Sequence, residues 1–336
     1  MARWSSIASA LPASRLRPGV LPGAVAGALL CASPPASAQT CQGQFTDINF
    51  GTINPTNGLA VDGTGSLQVQ CSGTNNATVR VCPNLNSGSA GDAGSPAARL
   101  MTNGASTVFY SVYTDPARSV IWGSYLWGYS GSAPSPQFDI PLGPTGQATV
   151  SYPVYARIQA GQPTAAAGTY QTRFNGQQDL ISFGYTSAGS CAIISGTGGR
   201  RANFTLNAVV AATCSLTTTP VAFGSKSSLS TITDASGQLR VTCTTGASYT
   251  VGLDGGASGA TSPTSRQMTS ASASITYGLY GDAARTQPWF NTTAFFRAGG
   301  TGTGVAQTLT VYGRIPVQAT PPAGTYSDNV VVTVTY

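Results

Sequence analysis

The sequence predicts an all-β protein built as two tandem β-sandwich domains. Composition, the period of the apolar residues and an internal duplication together predict it. Only 8% of the 336 residues are charged, against about 25% in an average globular domain. Every acidic residue is Asp, Lys226 is the one lysine, and histidine is absent, while Gly, Pro, Ser and Thr abound. Little Glu and Lys with much Thr and Val favours strands over helices. The same inventory excludes Ser-His-Asp and Cys-His nucleophile pairs and His-ligated zinc. No cofactor is implied.

Residues 1–38 read as an export signal. Arg3, Arg15 and Arg17 precede an apolar stretch from Val20 to Ala32, and Ala36-Ser37-Ala38 is a small-residue cleavage site. The stretch is short for a membrane span. A lipoprotein anchored at Cys31 is the competing reading, disfavoured by Leu30 before it. Cleavage makes Gln39 the first mature residue and removes three arginines. The net charge of +6 then falls by half, too weak and dispersed for a nucleic-acid partner. Cys41, Cys71, Cys82, Cys191, Cys214 and Cys243 remain. An even number in an exported chain reads as three disulfides. With no CxxC and no histidine, a metal site is disfavoured.

The two halves share landmarks in one order. Cys41 and Cys71 are spaced as Cys214 and Cys243 are, to within one residue. Ile48-Asn49-Phe50-Gly51 matches Val221-Ala222-Phe223-Gly224, and Arg99-Leu100-Met101-Thr102 matches Arg266-Gln267-Met268-Thr269. Asp115 to Arg118 matches Asp282 to Arg285, Tyr155 to Ile158 matches Tyr312 to Ile315, and Gly168-Thr169-Tyr170 matches Gly324-Thr325-Tyr326. Each copy is a series of short alternating segments between Gly, Pro, Asn and Ser turns, the pattern of a sandwich. The clearest strands are Gln238–Cys243, Ser248–Leu253, Ile275–Tyr280, Gln307–Tyr312 and Tyr326–Tyr336. The repeat predicts bonds Cys41–Cys71 and Cys214–Cys243, leaving Cys82 and Cys191 as a pair private to the first half.

The Cys pairs, the Phe-Gly strand, Val311-Tyr312-Gly313-Arg314-Ile315-Pro316 and the ending from Gly324 to Tyr336 resemble the spore coat protein U domain. That family includes subunits of archaic, Csu-type chaperone–usher pili. The resemblance implies two immunoglobulin-like sandwiches, the C-terminal one lacking its last strand. Residues 39–201 are then an adhesin-like domain, 202–213 a linker or a strand donated in cis, and 214–336 a pilin domain. It implies a periplasmic chaperone, an outer-membrane usher and an adjacent pilin subunit as partners. The function expected is that of a pilus tip adhesin binding an abiotic or host surface. Two features fit. The sequence ends with the last alternating segment, whose Val330, Val332, Val334 and Tyr336 are the candidate interface for chaperone or donor strand. Cys41 also falls too near Gln39 for a donor strand to precede it. Phe204, Leu206, Ala208 and Val210 alternate ahead of Cys214, as a strand used in cis would.

Adhesion is expected in the first domain. Its stretch from Asp115 to Tyr155 is about ten residues longer than the matching Asp282 to Tyr312. Ile121, Trp122, Tyr125, Leu126, Trp127 and Tyr129 make it the most aromatic part of the chain, followed by four prolines. Leu59-Ala60-Val61 and Leu85 are weaker loop candidates. An Asp115–Asp139 carboxylate pair, as in a glycosidase, is outweighed by structural Asp115–Arg118 and Asp282–Arg285 pairs. Carbohydrate binding by the same loop and a coat-protein role are the alternatives.

Overall fold

The computed structural model describes residues 38–94, 98–128, 133–271 and 273–336. The export signal read at 1–38 lies outside the described residues, apart from Ala38.

Period-two alternation puts one side-chain face in a core and makes nearly every element a strand. The first half forms β1 (Thr40–Phe45), β2 (Ile48–Ile53), β3 (Val61–Ser72), β4 (Thr78–Leu85), β5 (Arg99–Asn103), β6 (Ser106–Tyr113) and β7 (Phe138–Pro141). It continues with β8 (Gln147–Ile158), β9 (Gly168–Phe174), β10 (Asp179–Tyr185), one helical turn α1 (Cys191–Ile194) and β11 (Phe204–Val210). The second half forms β12 (Cys214–Thr219), β13 (Thr233–Cys243), β14 (Ser248–Leu253), β15 (Arg266–Thr269) and β16 (Ser274–Tyr280). β17 (Ala298–Thr301), β18 (Gln307–Ile315) and β19 (Val332–Thr335) complete it.

Each half is a two-sheet sandwich around its own apolar core. The first has sheets ordered β1-β3-β8-β6-β5-β9-β11-β2 and β10-β4-β7. The second has β12-β13-β18-β16-β15 and β17-β14-β19. The duplication recurs in the register: Arg99 lies opposite Tyr110 as Arg266 lies opposite Tyr277. The disulfides are Cys41–Cys71, Cys82–Cys191 and Cys214–Cys243, the three pairings the sequence predicts.

A buried arginine and tryptophan organise each core. Arg99 donates to the carbonyls of Trp122 (2.6 Å) and Asn86 (2.9 Å). Arg266 donates to those of Trp289 (3.0 Å) and Asp254 (2.7 Å). Trp122 Nε1 donates to Pro83 O and Trp289 Nε1 to Val251 O. Carbonyl partners offset the cost of burying a guanidinium.

Two expectations need correction here. Tyr326–Tyr336 is not one strand. Ser327 bridges Thr269 beside one sheet, and Val332–Thr335 pairs with β14 in the other. Between them Asp254 exchanges backbone and side-chain bonds with Val331, which carries the chain across. The side chains of Asp115 and Arg118 do not pair either, although Arg118 N donates to Asp115 O (3.0 Å). Asp115 accepts from Val120 N (2.7 Å) and from Ser119, closing its own turn. Arg118 sits in the left-handed conformation, φ 57°, and reaches Asp62 on β3 at 3.1 Å, beside Arg157 at 2.6 Å. Asp282, Arg285, Asp234 and Arg314 repeat the arrangement.

Candidate functional site: a strand slot and an apolar loop face

Two places stand out, and the duplication makes each readable against its counterpart. The first is the slot beside β9. In the first sandwich β11 occupies it. The strand runs antiparallel to β9, with Phe204 opposite Phe174 and Leu206 opposite Thr172, and parallel to β2, with Leu206 beside Ile48. Phe204, Leu206, Ala208 and Val210 point inward and are buried. Phe204 is stacked between Phe45 (4.4 Å) and Phe174 (4.6 Å). The register with β2 shifts where Gly51 bulges at φ 70°, a conformation glycine adopts without strain. Asp179 anchors the entry, accepting from the amides of Ala202 and Asn203.

In the second sandwich no strand among the described residues fills the same slot. Gly224 keeps the left-handed conformation of Gly51, at φ 69°. Val221 and Phe223 form one side of two clefts; Tyr326 to Val330 face them across one of about 460 Å³, and Thr320 to Tyr326 across one of about 620 Å³. Val221, Phe223, Met268, Tyr326 and Val330 are half-buried. Their counterparts Ile48, Phe50, Met101, Tyr170 and Phe174 are buried. Exposure thus rises at those matched positions where the added strand is missing. Of the residues expected at the interface, Val330 and Val332 line the slot. Val334 instead packs on the core opposite Val251, and Tyr336 is exposed beyond β19. Sequence reading missed the opposite wall, Val221 and Phe223, the floor, Met268 and Tyr277, and Asp328 in the near wall. Their signal was the match to Ile48 and Phe50 beside β11.

The second place is the aromatic loop after β6. Trp122 is wholly buried and is not a surface residue. It stands as far after Asp115 as Trp289 stands after Asp282, and this spacing marks it as the core tryptophan of the repeat. Ile121 is half-buried and bridges Tyr113. Beyond Trp122 the chain turns outward: Tyr125 is 46% exposed, and Leu126 and Trp127 are half-buried. Tyr129 lies outside the described residues. Leu59 is exposed on another loop, whereas Leu85 is fully buried in β4.

Asn84, buried in β4, holds the loop. Its Oδ1 accepts from Tyr125 N (2.8 Å), and its Nδ2 donates to Cys82 O (2.9 Å) and Ser195 Oγ (3.2 Å). The Cys82–Cys191 bond pins α1 beside it, and α1 presents Ile193, 69% exposed. Arg201 lies over the Trp127 ring at 5.9 Å. Arg201 precedes β11, whose other end leads to Cys214. The Tyr125, Leu126 and Trp127 face therefore lies at the end of the first sandwich away from the second.

Asp115 and Asp139 are committed separately. Hydrogen bonds, chiefly from Val120 N, hold Asp115 below the usual carboxylate range. Arg80 grips Asp139 with two bonds of 2.7 Å and lowers it likewise. Among the described residues no cluster of Cys and Asp is arranged to hold a metal ion.

These features define a class: a duplicated, disulfide-stapled sandwich pair with one strand slot filled in cis and its twin open. The chain belongs to the Spore Coat Protein U domain family, whose model matches residues 26–175 and 200–333. It is 33% identical over 160 residues to Protein U of Myxococcus xanthus, covering 44% of this chain and 78% of that protein. Among solved structures it is similar to a chain of the CsuC–CsuE chaperone–tip adhesion subunit pre-assembly complex from archaic chaperone-usher Csu pili of Acinetobacter baumannii. The identity there is 18% and the TM-score 0.48, over 88% of this chain and 100% of that one. The CupB6 tip adhesin of Pseudomonas aeruginosa matches at 12% identity and TM-score 0.39, over 89% and 95%.

Proposed function

We propose that this chain is an exported tip subunit of a chaperone–usher pilus. The first sandwich is the adhesive domain, and the second accepts a strand from another chain. The observation that carries this is the unequal occupancy of two matched slots. An open slot exposes unpaired backbone and apolar side chains, an aggregation hazard that strand addition removes. A periplasmic chaperone holds the slot first. The adjacent pilin takes it over at an outer-membrane usher, and the subunit reaches the cell surface at the fibre's tip.

Binding then falls to the far end of the first sandwich. Tyr125, Leu126, Trp127 and Ile193 offer apolar side chains there, with Arg201 lying over the Trp127 ring. Covering such partly exposed side chains contributes about 25 cal/mol per Å² of apolar area, and several together would hold an abiotic or host surface. Segment 202–213 counts with the first domain in this scheme, and 214–336 forms the pilin domain.

Co-expression with the chaperone of a Csu-type operon tests the assignment. A stable 1:1 complex is expected, released when Val221 and Val330 are both changed to Asp. An isolated mature chain that stays monodisperse and gains nothing from the chaperone contradicts it.

A further inference from the structure

The filled slot is a template for the occupant of the open one. Opposite Leu206 in the filled slot stands Thr172, and both point inward, 0% and 1% exposed. Thr102 pairs with Gln171 there, as Thr269 bridges Ser327 in the second sandwich. Asp328 therefore occupies the place of Thr172. Its side chain lies in the wall of the smaller cleft, half-exposed. Oδ2 accepts from the Tyr277 hydroxyl at 2.6 Å, and Oδ1 accepts from Ala257 N at 2.7 Å. Tyr277 stays a donor, because burial and then Asp328 push its pKa up. A second difference lies where Phe204 stacks in the filled slot. By the matched pairings Phe45–Leu67 and Thr218–Leu239, and by the repeat, Thr218 and Val330 replace Phe45 and Phe174.

We propose, resting on the strand-accepting reading above, that Asp328 determines which strand the open slot takes. The preferred strand places a hydroxyl or amide side chain (Ser, Thr or Asn) over Asp328, where β11 places Leu206. A carboxylate offers about four acceptor sites, and Tyr277 and Ala257 use two of them. An incoming strand displaces water from the rest. A leucine there leaves a charged acceptor stripped and unpaired, whereas a hydroxyl or amide restores a bond. Alternation alone is generic, so an apolar slot would accept another copy's Phe204–Val210 segment. The carboxylate discriminates against that segment and favours a different subunit.

The test uses two labelled peptides and the full mature chain, read by fluorescence anisotropy. One peptide has the Phe204–Val210 sequence, and the other carries Leu206→Thr. The Leu206→Thr peptide is expected to bind about tenfold tighter, the size of a hydrogen bond to a charged group. The gap should close in Asp328→Thr, which installs the residue of the filled slot. Asp328→Asn removes the charge at constant size and should narrow the gap, which keeps the test open if Asp328→Thr does not fold. Equal binding of both peptides to the unaltered chain overturns the role of Asp328 and leaves strand acceptance standing. Binding of neither peptide overturns strand acceptance and this inference with it.

Discussion

The two slots have nearly the same walls and opposite contents. Ile48 and Val221, Phe50 and Phe223, and Tyr170 and Tyr326 are matched pairs, yet the first of each pair is buried and the second half-exposed. The difference is one seven-residue strand, Phe204–Val210. Its lesson is that the same sandwich unit is sealed with this strand and left with half-exposed walls without it. One copy is finished by a segment of its own chain, and on the proposed function the other offers the same groove to a partner.

The largest expected effect breaks that comparison directly. Leu206→Asp puts an unpaired charge in a sealed slot and should cost about 3–5 kcal/mol, a large share of the stability of one sandwich. Val330→Asp puts the same charge in the open slot, still reached by water, and should cost under about 1 kcal/mol in the isolated chain. Urea unfolding followed by tryptophan fluorescence distinguishes them. Equal losses would mean the second slot is as closed as the first.

The tryptophans sharpen the comparison next. Trp122→Ala should destabilise by about 3–5 kcal/mol, as removal of a core aromatic does. Tyr125→Ala with Trp127→Ala should leave stability within about 1 kcal/mol and lower attachment to hydrophobic surfaces severalfold. Attachment unchanged in the double variant removes this loop from the adhesive role.

The smallest effect is one the two halves share. Hydrogen bonds from Arg157 and Arg314, first among the causes, lower the pKa of Asp62 and Asp234. A lowered folded-state pKa gives stability that is present above the unfolded value of about 4 and lost as pH falls through the folded one. These carboxylates are partly exposed, so each set contributes at most about 1 kcal/mol and weakens in salt. Acid titration of Asp62→Asn and Asp234→Asn should show matched, shallow losses in the two sandwiches.

Much of this was legible in the sequence, for physical reasons. Duplication and alternation survive drift, so the sandwiches, the Cys41–Cys71 and Cys214–Cys243 bonds and β14 could be read from spacing, while Cys82–Cys191 was only the pair left over. Phe204 to Val210 could be read as a strand because its inward positions are all apolar. Trp122 was misread because an aromatic-rich loop looks exposed, although its match to Trp289 marked it as core. The break between Ser327 and Val332 was hidden because a chain that crosses between sheets keeps its alternation. Asn84, which holds the loop, has no motif, and only its bonds to Tyr125 and Ser195 reveal it.

Backbone hydrogen exchange on the isolated mature chain tests the central claim most directly, because it reads both slots at once. The account predicts strong protection for Leu206 to Val210. It predicts fast exchange for the wall amides at Val221 to Gly224 and at Tyr326, Asp328 and Asn329, with protection gained once a chaperone or fibre partner fills the slot. Protection of those walls in the isolated chain, equal to that of Phe204–Val210, would contradict it.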